Sequence, residues 1–118
     1  MLNAVEANLY FLTSEADEIN LPNASQPFAS ASVEILWRNL FFVITRGRGE
    51  VTVSLAPRHL RNQQSELGPT IAALEGRNFS ERDIVRDLGD AAALLRPRLE
   101  RLNSAFSEQE FARTSKIL

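Results

Sequence analysis

The sequence predicts a single α+β domain with an N-terminal helix, a three-stranded antiparallel meander, and then two or three C-terminal helices packed on the sheet. Apolar residues recur at helical spacing over residues 2–19 and again over 84–106, whereas residues 33–37 and 50–55 alternate with the period of a strand. A chain of 118 residues can bury one core but is too short for two of ordinary size. We therefore treat residues 1–118 as one domain.

The first predicted helix runs from about residue 4 to residue 17. Spacings of three and four residues place six apolar side chains on one helix face: Leu2, Val5, Leu9, Leu12, Ala16 and Ile19. Asn3 followed by Glu6 resembles a capping box at its start. We expect a long loop over residues 20–32, because Pro22 and Pro27 have no backbone N–H to donate and the surrounding serines favour turns.

The meander is predicted over residues 33–37, 40–45 and 50–55. Val33 begins a clean alternation, residues 40–44 are apolar at every position, and residues 50–55 alternate again. Residues 46–49 contain two glycines that suit a hairpin turn. Arg38-Asn39 either forms a tighter turn or lies within one long bent strand, and Pro57 is expected to end the sheet because it cannot donate to a strand ladder.

The remainder of the chain predicts helices. Pro69 suits the first turn of a helix that ends at Gly76. Ser80 can cap the backbone of Asp83, and Phe79 can pack on Ile84 at the start of a longer helix. One apolar stripe then continues to Phe106: Ile84, Leu88, Ala91 or Ala92, Leu95, Leu99, Leu102 and Phe106.

That stripe passes through Pro97 without losing its phase. We therefore expect one helix kinked near Pro97, with Gly89-Asp90 as a second candidate break. Ser107 with Glu110, and Phe106 with Phe111, repeat the pattern of a helix start and predict a short last helix over 108–115. Residues 112–118 are expected to fray.

Composition excludes several kinds of chemistry. The chain has no cysteine and one histidine, which excludes disulfides, thiolate nucleophiles and multi-histidine metal centres, so no cofactor or metal is expected. A formal net charge of −2 does not predict a polyanion-binding protein. The charge is nevertheless uneven, because residues 1–37 carry five carboxylates and no basic residue, and the rest carries thirteen basic against ten acidic residues.

The sequence also predicts where the protein resides. Its longest apolar run, Leu40 to Ile44, is far shorter than the roughly 20 residues that span a bilayer. The N-terminal residues lack the basic and apolar regions of a secretory signal. We therefore expect no membrane association and a cytoplasmic location.

Basic residues concentrate around the predicted hairpin and its exit: Arg38, Arg46, Arg48, Arg58, His59 and Arg61. Such arginines either bind an anion or an acidic partner, or they pair with the acidic N-terminal region of the same molecule. The Arg-Gly-Arg-Gly stretch occurs once and between two strands, which indicates a turn and makes a nucleic-acid partner unlikely.

Catalytic residues are not apparent. His59 is the natural acid–base candidate, because only histidine has an unperturbed pKa near neutrality. No nucleophile elbow, paired-carboxylate signature or metal-binding motif accompanies it. The sequence therefore predicts that the protein is not an enzyme.

The strand over residues 40–44 carries apolar side chains on both faces, although a sheet with helices on one side needs only one apolar face. Either helices sandwich the sheet, or the second face is partly open and meets another subunit. We therefore expect a non-catalytic protein–protein interaction protein, either a homodimer or a small regulatory or inhibitor-like partner of a larger protein. The alternative is a small anionic-ligand-binding domain that uses Arg58, His59 and Arg61. The candidate interaction residues are Trp37, Arg38, Phe41, Val43, Arg46, Arg48, Arg58, His59 and Arg61.

Overall fold

The structure, a computed structural model, describes residues 1–22, 31–47 and 49–118, and its centre is a five-stranded antiparallel sheet. The strands lie in the order of the chain: β1 (Glu18–Asn20), β2 (Ala31–Trp37), β3 (Leu40–Gly47), β4 (Glu50–Pro57) and β5 (Ser65–Glu66). The α+β class and the central meander are confirmed. The predicted three strands become five, because β1 and β5 are too short to show an alternating pattern.

Tight turns connect the central strands. Trp37 pairs with Leu40, so Arg38-Asn39 forms a two-residue turn and β2 and β3 are separate strands. Arg38 has a φ of 50°, in the left-handed region, and the turn is held by a 2.9 Å hydrogen bond from the Asn39 amide to Asn103 Oδ1. Between β3 and β4, Gly49 supplies a φ of 79°, as the glycine pattern predicted.

The described residues contain six α-helices: α1 (Leu2–Asn8), α2 (Tyr10–Thr13), α3 (Leu67–Leu74), α4 (Leu88–Leu95), α5 (Leu99–Ala105) and α6 (Phe111–Ser115). Two 3₁₀ turns, Glu81–Asp83 and Arg96–Arg98, lie within the C-terminal half. Among the residues described, none of the helices has both the length and the apolar character to cross a membrane.

The predicted N-terminal helix is shorter than expected. It is interrupted at Leu9, whose backbone leaves helical geometry, and α2 ends at Thr13. The chain then turns toward the sheet, where the Asp17 amide donates a 2.7 Å hydrogen bond to the Leu36 carbonyl and β1 begins. No side chain caps α1, so the expected capping box is absent there. The expected loop overlaps β1 and β2 at its ends, and residues 23–30 lie outside the described residues.

The long C-terminal helix is also divided. Ser80 and Asp83 form the predicted capping box, but it encloses only one 3₁₀ turn, after which Ile84 is extended. A new helix, α4, starts when Asp87 Oδ1 accepts a 2.8 Å hydrogen bond from the Asp90 amide. The interruption predicted at Pro97 is confirmed as a 3₁₀ turn between α4 and α5.

The smaller helical elements follow the predictions in outline. Helix α3 begins at Leu67, two residues before Pro69, and Gly76 after its end has a φ of 67°. Helix α6 begins at Phe111, later than expected, with the Phe111 ring centroid 5.2 Å from that of Phe106.

The core lies on one face of the sheet, where the N-terminal and C-terminal helices share a single apolar cluster. Trp37, Phe42 and Leu55 are among its strand residues. On the opposite face Leu36, Phe41 and Ala56 form a small cluster that is buried within the chain. Among the described residues, helices therefore pack on one face of the sheet only, and the apolar cluster of the second face is itself buried.

Gly68 provides a test of this packing. A Cβ atom at this position of α3 would lie 2.0 Å from the Asp83 carbonyl oxygen, a contact with backbone that cannot be relieved by a rotamer change. We expect Gly68→Ala to lower the free energy of unfolding by about 2 kcal/mol or more. Gly89→Ala in α4, where the nearest atom belongs to a side chain, should change it by less than about 1 kcal/mol. Urea denaturation of both variants measures this, and equal effects would contradict the close approach of Gly68 to Asp83.

Candidate functional site: a groove at the sheet edge

The apolar residues selected from the sequence are largely enclosed. Trp37 is 1% exposed in the main core, and Phe41 is 4% exposed on the opposite face. Val43 packs against the Phe41 cluster and is half-buried. The Trp37 Nε1 atom has no hydrogen-bond partner among the described residues, consistent with an indole packed for its apolar surface. These side chains therefore stabilise the fold and leave little apolar surface for a partner.

Arg38 and Arg58 bind acidic residues of the same chain. Arg58 Nη1 lies 2.7 Å from Asp17 Oδ2, which also accepts a hydrogen bond from the Arg38 amide. The Arg38 guanidinium contacts Glu100 at 3.1 Å and lies over the Trp37 ring, 4.6 Å from its centroid. At Asp17 the structure thus shows the intramolecular pairing that the sequence analysis gave as one alternative.

His59 and Arg61 contact opposite sides of the sheet. The His59 ring packs edge-on against Phe111 of the main core, 6.2 Å between centroids. The Arg61 guanidinium lies over Phe41, 5.1 Å from the ring centroid, on the other face. With Arg58 held by Asp17, these three residues do not converge on one site. Arg46 lines a separate cavity near the N-terminus, and Arg48 lies outside the described residues.

A groove of about 460 Å³ lies along the outer edge of β4. Its inner wall is the first half of that strand, and its outer wall is the segment around Phe79 and residues 83–86. Strand β5 pairs only with Ser54 and Leu55, so Glu50 to Val53 have no neighbouring strand on this side among the described residues. Part of the sheet edge therefore opens into the groove.

The backbone of this half-strand has hydrogen-bonding groups directed into the groove. Just beyond the end of the β3–β4 ladder, the Arg58 amide donates a 2.8 Å hydrogen bond to the Asn39 carbonyl. This bond shows which of the opposite residue pairs in the ladder are hydrogen-bonded to each other. Because hydrogen-bonded and non-bonded pairs alternate in an antiparallel ladder, Thr52 bonds to β3 and Val51 points its N–H and C=O away from β3. Val51 thus offers a donor and an acceptor to a further strand.

The outer wall carries apolar side chains. Phe79 and Ile84 line the groove and are 53% and 37% exposed, so both present apolar surface to it. The sequence pattern predicted this pair as the start of a long helix. In the structure they lie on either side of the Glu81–Asp83 turn and line the groove.

The rim of the groove is acidic. Glu50 and Glu66 line it and are exposed, and neither forms an ion pair with another described residue. Arg86 also lines the groove, but its guanidinium lies 3.6 Å from Glu81. The groove therefore favours positively charged side chains in a ligand.

Asp83 holds the outer wall in place. Its fully buried carboxylate accepts two 3.0 Å hydrogen bonds from the Arg77 guanidinium and a third from the Ser80 amide. The Arg77 bonds lower the pKa of Asp83 to about 2, against the opposing effect of burial. Arg77 also bonds Glu75, whose pKa is lowered to about 2 mainly by Arg98 and Arg77. The pKa of Arg77 itself is raised by its bonds to Asp83 and Glu75.

The groove has the features of a binding site. The described residues contain no cluster of three His, Asp or Glu side chains suited to hold a metal ion. What the groove offers instead is backbone donors and acceptors, exposed aromatic and aliphatic surface, and two carboxylates. Sequence reasoning missed it, because the edge is free only as a result of the two-residue length of β5.

Comparison with protein-family models, with curated proteins and with solved structures finds no match for this chain. Its function is therefore inferred from its own residues.

The Asp83 pairing predicts a specific dependence of stability on pH. A carboxylate whose pKa is lower in the folded than in the unfolded protein stabilises the fold above its unfolded pKa, and this contribution is lost as the pH falls through the folded value. We expect the free energy of unfolding to decline between about pH 5 and about pH 2. Asp83→Asn should lower stability at pH 7 by about 2–3 kcal/mol and make that decline shallower.

Denaturant unfolding across this pH range measures both quantities. Glu108→Gln is the matched control, because Glu108 is exposed and should leave the pH profile unchanged. An Asp83→Asn profile parallel to that of the unsubstituted protein would show that Asp83 does not hold the low pKa.

Proposed function

We propose that this protein is a non-catalytic interaction module that binds an extended segment of a partner protein by adding it as a strand to β4. The observation that carries this proposal is that residues 50–53 of β4 have no neighbouring strand on their outer side among the described residues and lie beside a groove of about 460 Å³. In strand addition the backbone hydrogen bonds provide affinity, and alternate side chains provide specificity. The proposal keeps the expected class of function and assigns it to a different surface.

The alternation of side chains across the sheet indicates which side chains the bound segment would carry. Val51 and Val53 face the helix side of the sheet, whereas Glu50 and, on β5, Glu66 face the other side. An added strand would place alternate residues on the same two sides. We therefore expect apolar residues on the side of Val51 and Lys or Arg on the side of the two carboxylates. Phe79 and Ile84 line the same groove and add apolar surface to it.

A second copy of this chain is a poorer occupant than a different protein. If two copies paired through β4, the Glu50 and Glu66 carboxylates of both would lie on the same face of the continuous sheet. Like charges close together across strands are destabilising. Charge complementarity thus favours a basic, apolar-alternating segment from another protein over a homodimer at this edge.

The proposal can be tested with labelled peptides in which Val and Lys alternate, compared with peptides in which Glu replaces Lys. We expect the Val-Lys peptide to bind with a dissociation constant in about the micromolar to millimolar range and to shift the Val51 amide resonance. The Val-Glu peptide should bind at least about tenfold weaker, and Glu50→Lys with Glu66→Lys should reverse this preference.

Val51→Pro is the decisive variant. Proline removes the outward N–H at a position that makes no bond to β3, so the fold should persist, as circular dichroism will verify. Fluorescence polarisation should then show loss of peptide binding, whereas Val51→Thr, which keeps the amide, should bind as before. Unchanged binding by Val51→Pro would refute strand addition. If the unsubstituted protein forms a dimer and Val51→Pro dissociates it, the strand added to β4 comes from a second copy of the chain and not from the proposed partner.

A further inference from the structure

We propose that a second cleft, between the end of α3, the Glu81–Asp83 turn and α5, binds a dianionic phosphate group. This cleft encloses about 630 Å³. Six charged side chains line it: Glu75, Arg77, Arg82, Asp83, Arg98 and Arg101. This site is separate from the groove beside β4 and does not depend on the function proposed for that groove.

The charge of the cleft is unbalanced. Four guanidinium groups face two carboxylates, which leaves a formal excess of two positive charges. Asp83 and Glu75 are already engaged, Asp83 by Arg77 and Glu75 by Arg77 and Arg98. An anion of charge −2 would neutralise the two positive charges that these carboxylates do not balance.

Two of the arginines are available to a ligand. Arg82 is exposed and makes no ion pair or hydrogen bond with another described residue. Arg101 has a 70% exposed side chain and touches Glu75 only at 3.4 Å. Both donate several N–H groups in a planar arrangement that suits phosphate oxygens.

The other two arginines form a fixed wall. Arg98 donates through Nε to Glu75 at 2.7 Å and through Nη1 to the Leu94 carbonyl at 3.1 Å. Arg77 spans Glu75 and Asp83 with four hydrogen bonds. Because these side chains are already ordered, binding costs less conformational entropy than it would on four free arginines.

Arginine and phosphate also match in chemistry. Guanidinium groups remain charged at all physiological pH values, and they bind phosphate oxygens in pairs. Leu74 and Leu94 line the same cleft, so it has an apolar surface beside the charged groups. Free phosphate and a phosphate ester share the dianionic group, and an ester with an apolar substituent would in addition contact the leucines.

The test is a thermal-unfolding titration with inorganic phosphate, and separately with phenyl phosphate, at constant ionic strength maintained with chloride. We expect the melting temperature to rise with phosphate, following the linkage between ligand concentration and stability, and to rise less at pH 5.5 than at pH 7.5. A larger rise with phenyl phosphate would identify an ester as the ligand, and an equal rise would identify free phosphate.

Arg82→Gln combined with Arg101→Gln should weaken phosphate binding at least about tenfold, because these two guanidinium groups are the most exposed of the four in the cleft. Arg113→Gln is the matched control, since Arg113 is an exposed arginine on α6 away from the cleft. Equal stabilisation by chloride alone, or equal phosphate affinity in the double variant and the control, would refute the site. Binding of the Val-Lys peptide should be unchanged in the double variant, so failure of either proposal can be distinguished from failure of the other.

Discussion

Much of the C-terminal half depends on the hydrogen bonds that the buried Asp83 carboxylate accepts. A buried charge is tolerated only when it is fully paired, and Arg77 and Ser80 supply three hydrogen bonds at about 3.0 Å. The backbone of the same residue lies so close to Gly68 that no side chain fits between them. Asp83 therefore fixes the segment that separates α3 from α4, and with it one wall of the groove and one wall of the cleft.

The two candidate sites have opposite electrostatic character on either side of this segment. The groove rim has the carboxylates of Glu50 and Glu66, which form no ion pair with another described residue, and the cleft has the exposed guanidinium groups of Arg82 and Arg101. The net charge of −2 does not show this division, just as it does not show that the N-terminal region is acidic. Electrostatic arguments for this protein therefore have to be made surface by surface.

Sequence patterns predicted those elements of the fold that have a regular apolar periodicity. The meander was predictable because Val33 and Val53 lie in runs with an apolar period of two, because Phe42 lies in a continuous apolar run rich in aromatic and β-branched residues, and because Gly49 permits a positive φ. The break after Asp83 was not predictable, because the Ser80 capping box has the same local pattern before a 3₁₀ turn as before a helix. Arg77, which bonds to Asp83, and Gly68, which packs against it, lie six and fifteen residues before Asp83 and outside the expected helix.

The candidate sites were less predictable still, because each is assembled from elements that are separate in sequence. The groove exists because the chain leaves the sheet after Glu66 and α3 begins at Leu67. Had β5 continued, it would have paired with Val53 and Val51; instead Gly68 lies against the Asp83 carbonyl, already turned away from β4. Among the described residues, the outer edge of Glu50 to Val53 is therefore free because α3 begins directly after β5, and the first turn of α3 packs against the backbone of Asp83.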